Sequence, residues 1–505
     1  MRQGSSIFYG TLLLTGANLL LRLVFMAFQV YLSGQIGAAG IGLLQLVLSV
    51  RFLASTLGSA GTRTCAMYLT GEALGRQKGV RPVLTGCVHY GLACSTAAAV
   101  ILWLGAPYLA ERWIGNLSAT HALRLYAIFL PVVCLSGVMT GCFTAAGRIR
   151  TLVSAEFLEQ GWAMAVTVFL LTRWAGPDLA GNPGRACFSV AMGSCTAALF
   201  TLCVLVLLWR DGGPTDGPPP YGRILRMTLP LAVSENLRAG LNTVENLIIP
   251  LRLGLFAGTT NALADYGILH GMVFPLMMAP AAVLFSLADL LVPEFSRCAG
   301  RPGQVRVRYL ARRGLRAALL FSLCAGGLLW LKSQALGECL YHSDAAGAAL
   351  RLYAPLAPIL YLDAVVDAMC KGLGQQQANA RYNLLTSLLD VALLWVLLPR
   401  FGMGGYYFSF TATHLMNFIL SLRRLGLAAG VRFSLGLPLR ASFSAGAAAA
   451  LAGALPEQAG IAGMLAPAAR YLLLLGLLWP LCRVAGRQDL LWLQGLAGRK
   501  TPPSP

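Results

Sequence analysis

Long apolar runs separated by short polar clusters repeat along the whole chain, and this alternation predicts helices long enough to cross a bilayer. In windows of about 19 residues, spans are predicted near 6–32, 41–69, 83–105, 122–145, 153–173 and 185–209, and again near 224–255, 263–290, 310–331, 347–372, 381–399, 402–424, 439–455 and 467–485. Between the two sets lies RDGGPTDGPPPYGR (210–223), whose glycines and prolines read as an exposed linker. The expected fold is therefore an all-α polytopic membrane protein of about 14 transmembrane helices.

The segment LRLYAIFLPVV (123–133) recurs as LRLYAPLAPIL (350–360), an offset of 227. The register holds further on: Pro131 maps onto Pro358, Leu135 onto Leu362 and Gly147 onto Gly374. This predicts an N-terminal six-helix lobe (1–210), a cytoplasmic linker (211–223), a C-terminal six-helix lobe (224–430), and two extra helices with a cytoplasmic tail (431–505). An even number of spans per lobe makes the repeats parallel, and transporters of such construction bind substrate between their halves and rock to alternate access.

Composition narrows the class. The 505 residues are 57% hydrophobic and only 11% charged, which excludes a soluble globular enzyme. The formal charge of +20 would point to nucleic acid in a soluble protein, but the positions of the basic residues explain it. With an inside N-terminus, and counting a charge near a span end with the adjoining loop, the even-numbered loops and both tails hold 26 of the 39 Lys and Arg, the other loops nine, and four (Arg22, Arg51, Arg63 and Arg238) lie deeper inside spans. The positive-inside rule then places both termini in the cytoplasm of a multi-pass membrane protein, with membrane lipids and no nucleic acid as its surroundings. The 13 cysteines show no metal-ligand spacing and read as small apolar residues, so no metal or other resident cofactor is expected.

An ionisable side chain at membrane depth costs at least about 2.5 kcal/mol on insertion scales and faces protein or water, so the charges within spans mark the candidate chemistry. On the first span Asn18, Arg22 and Gln29 share a polar stripe, and on the second Arg51 and Arg63 lie on different faces. The first four spans contain no acid. A wall with three arginines and no acid suits an anionic, phosphate-bearing substrate, because guanidinium binds phosphate through paired hydrogen bonds. The seventh span carries Glu235, Arg238, Asn242 and Glu245 in one quadrant between Pro230 and Pro250. Asn18, Arg22, Gln29, Arg51, Arg63 and Arg238 are the candidates for binding the substrate; the alternatives are that Arg63, near the cytoplasmic face, snorkels and that Arg238 pairs with Glu235 or Glu245. Candidates for binding a coupling cation, Na+ or H+, are Glu245, Asp390 and Asp367, the last spaced to pair with Lys371 as i, i+4. The membrane potential is the alternative driving force. His89, His270 and His414 read as hydrogen-bonded packing residues.

The stretch TGANLLLRLVFMAFQVYLSGQIGAAGIGLLQLVLSVRFLASTLGSAGTRTCAMYLTGEA (15–73) resembles the first two helices of the stage V sporulation protein B family. GCFTAAGRIRTLVSAEFLEQ (141–160), RMTLPLAVSENLRAGLNTVENLIIPLRLG (226–254) and VLFSLADLLVPEFS (283–296) resemble its fourth-to-fifth loop, seventh helix and the end of its eighth. These proteins form the polysaccharide-transporter branch of the multidrug/oligosaccharidyl-lipid/polysaccharide (MOP, MATE-like) flippase superfamily, related to the MurJ/MviN lipid II flippases. The resemblance spans about residues 1–430. It implies a two-lobed fold of fourteen helices and export of undecaprenyl-diphosphate-linked oligosaccharide, most plausibly lipid II, across the bacterial cytoplasmic membrane. It also matches the family's cavity arginine to Arg22, while Arg51 and Arg63 are both candidates for its second-helix arginine. Where relatives carry a basic-acidic pair further along the first helix, this chain has Phe28 and Gln29. A monomeric flippase, not an enzyme, is the leading expectation. A cation-coupled multidrug exporter of the same superfamily is the alternative, and it predicts acids in the N-terminal half.

Overall fold

Every regular element among the described residues of the computed structural model is helical. The structure describes residues 2–76, 79–174, 182–209, 217–299, 305–431, 433–434, 436–454 and 461–484, with side chains also left out at 2–15, 17–19, 149, 289–290, 293, 297–299 and 461–465. Residues 210–216 of the sequence-predicted linker segment, and the Asn18 side chain, lie outside the described residues.

The helices in chain order are α1 (Arg2–Ser59), α2 (Thr62–Gly75), α3 (Arg81–Tyr108), α4 (Ala119–Ala145), α5 (Ile149–Arg173), α6 (Pro183–Leu208), α7 (Tyr221–Leu253), α8 (Ala262–Gly267), α9 (Phe274–Met278) and α10 (Ala281–Ala299). They continue as α11 (Val305–Leu331), α12 (Ser333–Tyr341), α13 (Asp344–Tyr353), α14 (Ala357–Gly372), α15 (Gln376–Ala429), α16 (Gly436–Ala454) and α17 (Ile461–Leu481). Among the described residues seven stretches are long and apolar enough to cross a membrane, and the bent pair Ala262–Met278 with Ala281–Ala288, counted as one span, makes an eighth. Two of the seven, Leu20–Gly75 and Gln376–Ala429, contain 56 and 54 residues. At 1.5 Å per residue each is about 80 Å long, more than twice a hydrocarbon core of about 30 Å. Each is interrupted by a glycine with non-helical backbone, Gly37 in α1 and Gly402 in α15. Those breaks fall where the hydropathy pattern separates the first span from the second and the eleventh from the twelfth.

The chain forms two compact units. The first holds residues 1–272 and 387–410, and the second holds 273–386 and 411–505. In the first unit α4 packs on α2, α3 and α6, and α1 runs against α3, α7 and α8. Part of its core is built from small and β-branched residues, Cys65, Ala66, Ala73, Val83, Cys87, Val138 and Cys142, which let helix backbones approach closely where lipid provides no hydrophobic drive. A close crossing joins α1 to α8: a Cβ on Gly42 would run into the carbonyl oxygen of Leu263, and one on Gly267 into that of Ala38. Glu72 ties α2 to the start of α7 through Arg223 at 2.8 Å. In the second unit α14 packs on α10 and α11, and α16 and α17 pack on each other and on α11.

The sequence repeat has a structural counterpart inside each unit. α4 ends with Gly147 at φ 70°, and α14 with Gly374 at φ 72°, a left-handed conformation that costs a residue with a Cβ about 1–2 kcal/mol. Around Gly147 the Arg148 amide donates to the Phe143 carbonyl at 3.1 Å, and around Gly374 the Gln375 amide donates to the Cys370 carbonyl at 2.8 Å. These are the same hydrogen bonds at the same offset, the Schellman closure that satisfies the last carbonyls of a helix.

Candidate functional site

Three groups of charged or polar side chains lie on helices that carry the spans. The first comprises the arginines of α1 and α2. Arg22 is exposed, about 22 Å of helix before the Gly37 break at 1.5 Å per residue. Leu20, Leu23, Val24 and Phe25 around it are exposed as well. Gln29, two turns along the predicted stripe, is buried instead, at 3% exposure, so it does not share the open environment of Arg22. Arg51 is half-buried with its guanidinium 4.8 Å from the centre of the Tyr126 ring on α4, a cation–π contact. It also lies within electrostatic range of Glu159 on α5, whose carboxylate accepts a hydrogen bond from Thr201 at 3.0 Å. Arg63, on α2, is exposed and within range of Glu156, one turn earlier on α5. The fifth-span acids therefore face the second-span arginines. The surface is less uniformly positive than the first two spans alone indicate.

The second group centres on Glu245 of α7 and Asp390 of α15, whose side chains are in hydrogen-bond contact. Asp390, 4% exposed, also accepts a hydrogen bond from Ser409 Oγ at 2.6 Å. Tyr266 donates to Asn246 Oδ1 at 3.0 Å and stacks on His270 with ring centres 4.4 Å apart, and His270 Nε2 lies 3.2 Å from the Tyr406 hydroxyl. Thr243 donates to the Ser49 carbonyl at 3.1 Å, tying α7 to the second half of α1. Two carboxyl groups sharing one contact with a hydroxyl beside them form an arrangement that favours a bound cation or a shared proton, since two like charges so close do not both persist unpaired. The sequence named Glu245 and Asp390 separately; that they meet, with Ser409 bonded to Asp390 and Tyr266 within electrostatic range of Glu245, is new from the fold. Arg238 and Glu235 are exposed on the same helix, and among the described residues no carboxylate lies within ion-pair distance of Arg238. It is not the partner of Glu245.

The third group is on α14. Asp367 pairs with Lys371 at 2.6 Å, as its i, i+4 spacing predicts, and accepts a hydrogen bond from Asn379 at 2.9 Å. Asp363, one turn earlier, accepts from Asn417 at 3.0 Å. The pairing with Lys371 balances the Asp367 charge and separates it from the Glu245–Asp390 group.

Residues 7–299, more than half of the chain, match the model of the family described as polysaccharide biosynthesis protein. The chain belongs to this family. It is 22% identical over 406 residues to stage V sporulation protein B of Bacillus subtilis (strain 168), with 78% of each chain covered. Its fold is similar to that of the lipid II flippase MurJ in an inward closed conformation, with a TM-score of 0.72 at 11% identity, covering 93% of this chain and 99% of that one. It is also similar to an inward-facing multidrug resistance MATE family transporter of the MOP superfamily, with a TM-score of 0.64 at 12% identity, covering 82% of this chain and 100% of that one. The protein is a multi-pass, all-helical membrane protein with the fold of the MOP superfamily.

Proposed function

We propose that the protein is a flippase that moves an undecaprenyl-diphosphate-linked oligosaccharide, the peptidoglycan precursor lipid II, across the bacterial cytoplasmic membrane by alternating access. The observation that carries this reading is Arg22, an exposed guanidinium within a membrane-spanning helix. A charge at that depth faces protein or water and marks a functional surface, and a guanidinium is suited to the two phosphates of a lipid diphosphate. Arg51 and Arg63 extend the basic surface along the next span, with Glu159 and Glu156 as the countercharges that a released headgroup leaves behind. The family match and the similarity to stage V sporulation protein B support a lipid-linked polysaccharide substrate. The protein acts as a monomer with both termini in the cytoplasm, and the isoprenoid tail stays in lipid.

Coupling is assigned to the Glu245–Asp390–Ser409 group, which takes up Na+ or a proton. The same acids favour one second reading, a cation-coupled drug exporter, in which they face a cationic substrate.

The test is headgroup accessibility of labelled lipid II in proteoliposomes holding wild-type or Arg22→Ala protein, with cationic dye efflux from the same vesicles. Lipid II turnover lost in Arg22→Ala, with the variant still in the membrane, supports the flippase; wild-type turnover by that variant sinks it. Dye efflux without lipid II turnover transfers the protein to the exporters.

A further inference from the structure

Three side-chain oxygens of the second unit, Asp363 Oδ1, Asn379 Oδ1 and Asn417 Oδ1, are buried and accept no hydrogen bond. Native folds rarely leave buried acceptors unpaired, and each exception calls for an explanation such as an unseen ion. Here the three belong to one local network. Asn417 Nδ2 donates to Asp363 Oδ2 at 3.0 Å, and Asn379 Nδ2 donates to Asp367 Oδ1 at 2.9 Å. Those bonds fix which end of each amide meets a carboxylate, so the amide oxygens are the ends left over. Asp363 and Asp367 are one turn apart on a single face of α14, and Cys370 lies close to both acids and to Asn379. Asn379 is 2% exposed and Asn417 9%, so bulk water does not satisfy either amide.

The charges around the network decide what is missing. Asp367 is balanced by Lys371 at 2.6 Å. The other nearby base, Arg424, donates to Gln375 Oε1 at 2.8 Å, two turns or about 10 Å along the helix from Asn417. Among the described residues no basic side chain meets Asp363. The network thus offers three oxygen donors and one uncompensated carboxylate at membrane depth, where such a charge requires a partner. All-oxygen donors select hard cations, and a single negative charge matches a single positive one; a divalent ion would leave a buried excess.

We propose that Asp363, Asn379 and Asn417 bind a monovalent alkali cation, which ties both ends of α15 to α14. This site is separate from the Glu245–Asp390 group and goes beyond the flippase reading, sharing no residue with it.

The experiment is equilibrium binding of radioactive Na+ to the purified full-length protein, with choline as the balancing cation, for wild type, Asp363→Asn, Asp390→Asn and the double variant. Asp390→Asn retains a bound Na+, while Asp363→Asn loses one Na+ relative to wild type or binds it about 10–100-fold more weakly, the usual cost of disturbing a metal site. Na+ also raises the unfolding temperature of Asp390→Asn by mass action, and this rise is lost in the double variant. Unchanged Na+ binding by Asp363→Asn overturns the proposal, as does loss of all Na+ binding in Asp390→Asn alone. If Asp363→Asn does not fold, Asn417→Asp replaces it: a second carboxylate confers Ca2+ binding that the wild type lacks, and no gain of Ca2+ binding overturns the proposal. A protein that fails to flip lipid II but passes this test leaves the site intact, so the two readings fail independently.

Discussion

Trp103 and Arg124 in the first half of the chain stand at the same repeat offset as Trp330 and Arg351 in the second, and both pairs make the same contact. The guanidinium lies 5.2 Å from the indole in the first and 4.9 Å in the second. Two residues further along, the halves part. Tyr126 carries the Arg51 guanidinium on its ring at 4.8 Å, whereas its counterpart Tyr353 packs nearly perpendicular to Phe274 with ring centres 5.9 Å apart. The helix backbone differs too: Ile128 lies inside the continuous α4, but Pro355 at the matching position turns the chain through a short 3-10 segment, Ala354–Leu356, between α13 and α14. The scaffold was duplicated while the chemistry was not. In the first half the second-span residue beside the repeat tyrosine is a cation, and in the second half its place is taken by an apolar ring.

Breaking that asymmetry gives the largest expected effect. Replacing Arg51 with Leu removes a cation from the proposed headgroup surface and weakens lipid diphosphate binding on the order of 10–100-fold, the scale of a lost charged hydrogen bond of about 1.5–3 kcal/mol. Phe274→Leu in the second half leaves binding within about twofold, because no charge is lost. Binding of labelled lipid II to both variants checks the contrast, and equal losses would erase it. A smaller effect of opposite sign comes from Glu159→Gln. With its countercharge neutralised, Arg51 attracts the diphosphate more strongly, so affinity tightens by about 1 kcal/mol or less, an interaction discounted for partial exposure. Turnover slows, because release now lacks the carboxylate that reclaims the arginine. Weaker binding in Glu159→Gln would assign Glu159 a purely structural part.

The contrast also marks how far the sequence can be read. The duplicated segment LRLYA and the glycines 147 and 374 were legible because identical residues at a constant offset stand out from an apolar background. So were the span breaks, which fall at Gly37 and Gly402 as the hydropathy minima require. The Trp103 and Trp330 match was not, since an isolated aromatic in an apolar helix carries no signal until its partner arginine is seen above it. Among site residues, acids and arginines announce themselves by their cost in lipid. Their pairings do not: Glu159 and Arg51 lie on different helices, as do Glu245 and Asp390, and only packing shows which of them meet. Asn379 and Asn417 give no signal in the sequence for a related reason, because neutral amides are polar enough to bind an ion yet depress hydropathy too little to interrupt a span.

Two paired substitutions test the shared scaffold, where the expectation is sameness. Gly147→Ala and Gly374→Ala each force a Cβ into a left-handed backbone where nothing lies within 4 Å to clash with it, so the cost is conformational, about 1–2 kcal/mol in both. Thermal unfolding of the purified variants should show equal losses. The smallest effect belongs to Trp103→Leu and Trp330→Leu, which remove the cation–π contact with Arg124 and Arg351. Each should lower stability by about 0.5–1 kcal/mol, with lipid II turnover unchanged in both. If Trp103→Leu alone impaired turnover, Arg124 would belong to the substrate surface of the first half and not to the common frame, and the divergence of the two repeats would begin two residues earlier than Tyr126 and Tyr353.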